Sequence, residues 1–194
     1  MKLSEPDKFD PKKYDKRGRF LTHTGNEIDI RNFRIKDVEV EEIAHSLSLV
    51  CRYGGHCRTF YSVAQHAVLV ARYIEDLGYP VEVVLAGLHH DDSEAYLGDV
   101  IRPLKQLLPK YKEIEEYFEG KIAKAFKIPF PYPPIVKEAD MAIFRQEVED
   151  CKWDEPDDPV IVPWTWRRAK REYLKMHERL MNQRIKESEI AVNA

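Results

Sequence analysis

Beyond about residue 40, apolar positions recur at helical spacing. In "YSVAQHAVLVARYIEDLG" the residues Val63, Ala67, Val70 and Ile74 form one stripe, and Gly78 supplies a stop. The preceding "VEEIAHSLSLVCRY" reads as a helix, and "PVEVVLAGLHHDDSEAY" has Pro80 at a natural first-turn position. "PKYKEIEEYFEGKIAKAF" is amphipathic, "PYPP" at 131–134 breaks the pattern, and "IVKEADMAIFRQEVEDC" and "WTWRRAKREYLKMHERLMNQRIKE" predict two further helices. Strand character is confined to "RFLTHTGNEIDI", where Thr24-Gly25-Asn26 lies between two short alternating runs and predicts a hairpin. The expectation is an all-α fold with a small N-terminal β-hairpin. Residues 1–18 read as a loose polar N-terminal segment, 19–194 as a single domain including the C-terminal helix, and "WDEPDDPVIVP" at 153–163 as a long surface loop.

Composition narrows this picture. A chain of 194 residues can bury a sizeable core as one domain, without metal or disulfide staples. Its formal charge of -3 predicts no bulk attraction to nucleic acid. The basic residues of the C-terminal segment are interspersed with glutamates, which favours a solvated helix over a nucleic-acid surface. Cys51, Cys57 and Cys151 form neither a CxxC pair nor a zinc-ligand spacing, and read as reduced thiols in a cytoplasmic protein. The first twenty residues lack an apolar signal region and no run approaches a membrane span, so neither export nor membrane insertion is expected.

Several polar residues stand where apolar ones belong. His66 shares its face with Val63 and Val70, and a lone inward histidine usually just hydrogen-bonds in the core. On the next helix His90 falls with Val83, Ala86 and Gly87, and Asp91 with Val84 and Leu88, while the small residues at 86 and 87 leave room. His89 shares its side with Glu82, a more solvated direction, and Asp92 either faces solvent or adds negative charge nearby. Asp140 lies near Val136, Ala139, Ile143 and Phe144; a helix-surface acid or a salt bridge with Lys137 or Arg145 would also account for it. Together the inward residues carry more weight than singly. Two buried carboxylates beside two imidazoles need a compensating cation, and a divalent metal supplies it. The donor set suits manganese, iron, cobalt, nickel or zinc, and magnesium can use it.

The order His66, His90-Asp91, Asp140 resembles the H…HD…D pattern of HD-domain metal-dependent phosphohydrolases. The resemblance runs through "EIAHSLSLVCRYGGHCRTFYSVAQHAVLVARY", "LHHDDSEAYLGDVIRPLK" and "VKEADMAIFRQE". It is similar to the branch containing bacterial 5′-deoxynucleotidases, phage deoxyadenosine triphosphate triphosphohydrolases and the phosphohydrolase of oxetanocin-A biosynthesis. That likeness implies a compact HD-domain helical fold, with one divalent ion per site held by His66, His90, Asp91 and Asp140. The ion would be cobalt, manganese, magnesium, iron, nickel or zinc.

The implied activity is removal of phosphate from nucleoside mono-, di- or triphosphates or an analogue, with a deoxynucleotide and a purine base foremost. Glu94 matches the acid of HD-x-x-E and would orient or deprotonate the attacking water; a helix-surface glutamate is the alternative. Asp99 would position substrate or water, with an N-cap for "IRPLKQLL" as the competing reading. Arg52 and Tyr53 match the nucleotide pocket, Lys137 would reach a phosphate, and His56, Arg58 and His89 are further contact candidates. A structural salt bridge is an equal alternative for Arg52 and Lys137. Asp92 departs from the small residue that commonly follows the HD pair. None of the seven histidines lies between Asp91 and Asp140, which favours a mononuclear site over an HD-type di-iron oxygenase. A noncatalytic nucleotide or nucleic-acid binding module is the other alternative. The resemblance admits a homo-oligomer acting on a small-molecule nucleotide, with neither membrane nor nucleic acid as partner.

Overall fold

The stripe of Val63, Ala67, Val70 and Ile74 is fully buried and forms the innermost helix of the molecule. Each such Val or Ile contributes about 1.5–3 kcal/mol by leaving water. The computed structural model describes residues 18–152 and 157–192. The expectations for 1–17 and for the loop residues 153–156 lie outside the described residues. In chain order the helices are α1 (Val40–Leu49), α2 (Val63–Asp76), α3 (Val81–Leu88), α4 (Glu94–Leu97), α5 (Arg102–Leu107), α6 (Pro109–Phe126), α7 (Pro134–Glu147) and α8 (Trp166–Val192). A short turn of wider π-type helix, Val148–Lys152, prolongs α7. The fold is all-α apart from one two-stranded ribbon.

Around α2 pack α3, α7 and α8, and α1 closes against both α2 and α8. Ser62 caps α2 by accepting the Gln65 N–H at 3.2 Å. Gly87 allows α3 its close approach, because a Cβ there would fall 2.4 Å from Ile74 Cδ1. The ribbon pairs β1 (Arg19–Leu21) with β2 (Glu27–Asp29) antiparallel, Phe20 opposite Ile28, around the turn at Thr24-Gly25-Asn26. Glu42 of α1 fastens that turn, accepting from the Thr22 hydroxyl at 2.6 Å and the Asn26 amide at 2.8 Å.

On α8, Arg179 grips Glu75 through two 2.7 Å bonds and Lys170 meets Glu41 at 2.6 Å, so these cations are held by acids of the same chain. Among the described residues, no helix is long and apolar enough to cross a membrane.

Two predicted helices are shorter than the periodicity suggests. The first stops at Leu49, and Arg52–Gly55 forms a tight turn in which Tyr53, Gly54 and Gly55 all adopt positive φ, at 59°, 60° and 84°. More consequentially, α3 ends at Leu88, and residues 89–93 run through successive turns, with Asp92 N–H donating to His89 O at 3.3 Å and Glu94 N–H to Asp91 O at 3.0 Å. The His89 N–H still donates to Leu85 O at 3.0 Å, and the three residues after it, His90 to Asp92, leave the helical phase of α3.

Candidate metal centre and cleft

That turn separates the four polar residues by direction. His89, expected toward solvent, is almost completely buried, which corrects its sequence-based placement; Asp92, for which solvent and the neighbourhood of a metal were both open, is buried beside it. His89 Nδ1 bonds Asp92 Oδ2 at 2.6 Å, its Nε2 lies 3.0 Å from His177 Nδ1, and the Tyr173 hydroxyl donates to Asp92. Burial, with His89 and Arg184 nearby, lowers the His177 pKa to about 3, so its ring is neutral and can donate from Nδ1. His89 faces this network and the Phe126 ring rather than a substrate. A turn with its outer pair anchored in the core leaves the inner pair, His90 and Asp91, facing the opposite way.

His90 meets His66 there, the ring centroids 5.3 Å apart. Both imidazoles are fixed through Nδ1: His66 to Glu147 Oε1 at 2.6 Å, and His90 to the Gly87 carbonyl at 2.8 Å. In a neutral ring, donation from Nδ1 leaves Nε2 with a lone pair, the second-tier arrangement found behind metal-binding histidines. Neither Nε2 has a hydrogen-bond partner among the described residues. Carboxylate oxygens nevertheless stand close: Asp91 Oδ2 lies 3.1 Å from His90 Nε2 and 3.6 Å from His66 Nε2, and Asp140 Oδ1 lies 3.3 Å from His66 Nε2.

Carboxylate oxygens thus converge on the two Nε2 atoms, an arrangement that positive charge relieves, whether a proton on an imidazole or a cation in its place. Burial alone would raise the carboxyl pKa values of Asp91 and Asp140, but the positive fields and hydrogen bonds of the neighbouring histidines outweigh it and hold both below the usual range. For His90, burial would favour the neutral ring, yet the charge of Asp91 pushes its pKa up to about 9. His66, His90 and Asp140 present ligand atoms within 4.8 Å of one another and could hold a metal ion. Asp91 flanks that group.

Behind the histidines lies a residue that the sequence reading passed over. Glu147 is fully buried and accepts from His66, from Arg52 Nε at 3.1 Å, from Tyr61 at 2.8 Å and from the Tyr53 hydroxyl. Burial would raise its pKa, but His66 and Arg52 dominate and bring it to about 2. The available signal was its spacing, seven residues after Asp140 and so two turns along the same face of α7.

The centre opens into a cleft of about 790 Å³ lined by residues of the Arg52–His56 turn, the Glu94–Gln106 stretch, α6 and α7. A cleft of that size lies within the range of small-molecule sites. Arg52, Tyr53, His56, Glu94, Asp99 and Lys137 all reach it. Arg58 does not: its guanidinium bonds the Asp150 carbonyl at 2.6 Å, so its expected phosphate contact is replaced by an anchor for its loop. The Arg52 guanidinium is engaged by Glu147 and by Asp91 at 3.6 Å, and the Lys137 ammonium by Asp140.

Asp99 does not cap α5, whose N-cap is Ile101 without a side-chain bond. Burial raises the Asp99 pKa against the pull of Arg52. Glu94 is 5% exposed, and burial together with the charges of Asp91 and Asp99 lifts its pKa well above normal. Its Oε1 accepts from Lys105 at 3.1 Å while Oε2 has no partner among the described residues. Arg102, Lys105, Lys112 and Phe144 also line the cleft and were not assigned to the site from the sequence. Arg102 and Lys105 lie in the six-residue α5, which buries none of its residues and so offers no apolar stripe to mark a face.

No family model matches the chain. It is 40% identical over 119 residues to the uncharacterized protein YfdR of Escherichia coli (strain K12), a match covering 61% of this chain and 64% of that protein, just under two thirds. It is 34% identical over 135 residues to the uncharacterized protein RCAP_rcc00048 of Rhodobacter capsulatus, covering 65% of this chain and 69% of that protein. The chain belongs to the family of the Rhodobacter protein. Kinship with uncharacterized relatives carries no activity with it.

Proposed function

We propose that the chain is a divalent-metal-dependent phosphohydrolase of the HD-domain type, acting on nucleotides in the cleft beside His66 and His90. One observation carries this reading: two imidazoles, each tied down through Nδ1, turn unpartnered Nε2 atoms toward Asp91 and Asp140 at the wall of a cleft that also holds cations. The two nitrogens and two carboxylates suit manganese, cobalt, iron, nickel, zinc or magnesium. Such an ion supplies Lewis acidity, neutralising phosphate charge and lowering the pKa of water.

The remaining steps fall to side chains. Glu94 offers its unpartnered Oε2 to the proton of the attacking water, and burial with the acids around it raises its basicity above that of an ordinary carboxylate. Lys105 holds the other Glu94 oxygen and fixes the carboxylate plane. Lys137 and Arg102 supply positive charge to the phosphate tail, and Phe144, Met141 and the Tyr53 ring give the base an apolar wall. The deciding experiment incubates the protein with a panel of ribo- and deoxynucleotides and each metal, and identifies both nucleoside and phosphate products. Metal-dependent appearance of phosphate, diphosphate or triphosphate supports the reading; no phosphorus-containing product with any metal overturns it.

A further inference from the structure

Neither Cys51 nor Cys57 is in a disulfide, both are partly exposed, and their sulfurs lie 3.4 Å apart. They bracket the turn that carries Arg52, Tyr53 and His56 into the cleft. Both ends of that turn are held. Cys51 bridges Ser62, with Arg52 N–H donating to Tyr61 O at 2.9 Å and Val63 N–H to Val50 O at 3.1 Å. Beyond Cys57, the Arg58 N–H donates to Cys151 O at 3.1 Å and its guanidinium to Asp150 O. The two thiols therefore meet by construction of the loop.

We propose that Cys51 and Cys57 form a reversible disulfide that closes this cleft-bearing turn. A disulfide bond is about 2.05 Å long, so the sulfurs need to approach by only about 1.4 Å, within reach of side-chain rotation. A peroxide is the oxidant. The thiolate of one cysteine attacks an oxygen of hydrogen peroxide, the O–O bond breaks, and a sulfenic acid forms with hydroxide, which takes the proton the thiol released and leaves as water. The second thiolate then attacks the sulfenyl sulfur, the S–S bond forms and hydroxide departs, taking up a proton as water. Two electrons pass from the thiols to the peroxide, giving one disulfide and two waters, and an external dithiol reverses the reaction. Cys151, fully buried and near Cys57, is a poor competitor, because burial and the charges of Glu147 and Asp150 push its thiol pKa up to about 12.

This inference is independent of the phosphohydrolase reading, because the bond is read by mass. The full-length protein is treated with hydrogen peroxide, alkylated under denaturing conditions and mapped by peptide mass spectrometry, with and without dithiothreitol. The expected wild-type product has lost two hydrogens, carries a Cys51–Cys57 linkage, leaves Cys151 alone open to alkylation, and regains all three thiols on reduction. Cys51→Ser and Cys57→Ser should each abolish the two-hydrogen loss, and Cys151→Ser should keep it. Three alkylated cysteines after peroxide, a Cys57–Cys151 linkage, or conversion of Cys51 or Cys57 to sulfinic acid would overturn the proposal.

Discussion

Replacing Glu147 by glutamine removes one charge and changes almost no volume, yet it strikes the most connected polar group of the site. The carboxylate is fully buried and takes donors from His66, Arg52, Tyr53 and Tyr61. Without it, Arg52 keeps among the described residues only Asp91, at 3.6 Å, as a counter-charge within ion-pair reach. Breaking a buried ion pair costs about 3–5 kcal/mol. An independent route gives a similar figure. Glu147 titrates at about 2 in the folded protein against 4.5 for an ordinary glutamate, a depression that corresponds to about 3 kcal/mol. Because the folded value is the lower one, this stabilisation is complete above pH 4.5 and fades as the pH falls toward 2. For a domain of this size the loss lowers Tm by roughly 6–20 °C at neutral pH. Circular dichroism melting of wild type and Glu147→Gln between pH 7 and pH 2 measures both effects: the two melting curves should converge as acid removes what the mutation already lacks. A variant melting within ~2 °C of wild type at pH 7 would refute the reasoning.

Manganese at about a hundred times its Kd should stabilise the wild type by about 2.7 kcal/mol, and Asp140→Asn should lose most of that rise; differential scanning fluorimetry decides, and equal stabilisation of both proteins would remove Asp140 from the ligand set. Glu94→Gln should lower metal-dependent phosphate release by about 10²–10⁴-fold while leaving the metal-induced rise in Tm in place; an unchanged rate in a phosphate assay would discard its role toward water. Tyr173→Phe removes a buried donor from Asp92 and should cost about 1–3 kcal/mol in urea unfolding; a variant as stable as wild type would show that the hydroxyl is dispensable.

The helical fold and the hairpin were legible because each rests on local periodicity: the α2 stripe and the turn at Gly25 need nothing from elsewhere in the chain. His66 was correctly placed inward for the same reason. His89 was misplaced, and Asp92 left open, because their burial comes from Tyr173 and His177, more than eighty residues downstream, which helical phase in α3 does not show. Arg58 looked like a phosphate contact because sequence shows a charge and not the backbone carbonyl that engages it. Glu147 escaped notice since its four partners come from three different segments, and no spacing rule connects them. The meeting of Cys51 and Cys57 depends on three successive positive-φ residues, a backbone reversal that non-glycine Tyr53 does not advertise.

The anchoring of His89 and Asp92 also sets an order of events. Their bonds to Tyr173 and His177 span 81 to 88 residues of chain. During synthesis α2 and α3 leave the ribosome well before α8, so the turn presenting His90 and Asp91 lacks its anchors until the last helix arrives and docks. The centre is thus among the last features to mature, and a nascent chain can pack its innermost helices before the group that could hold an ion is complete.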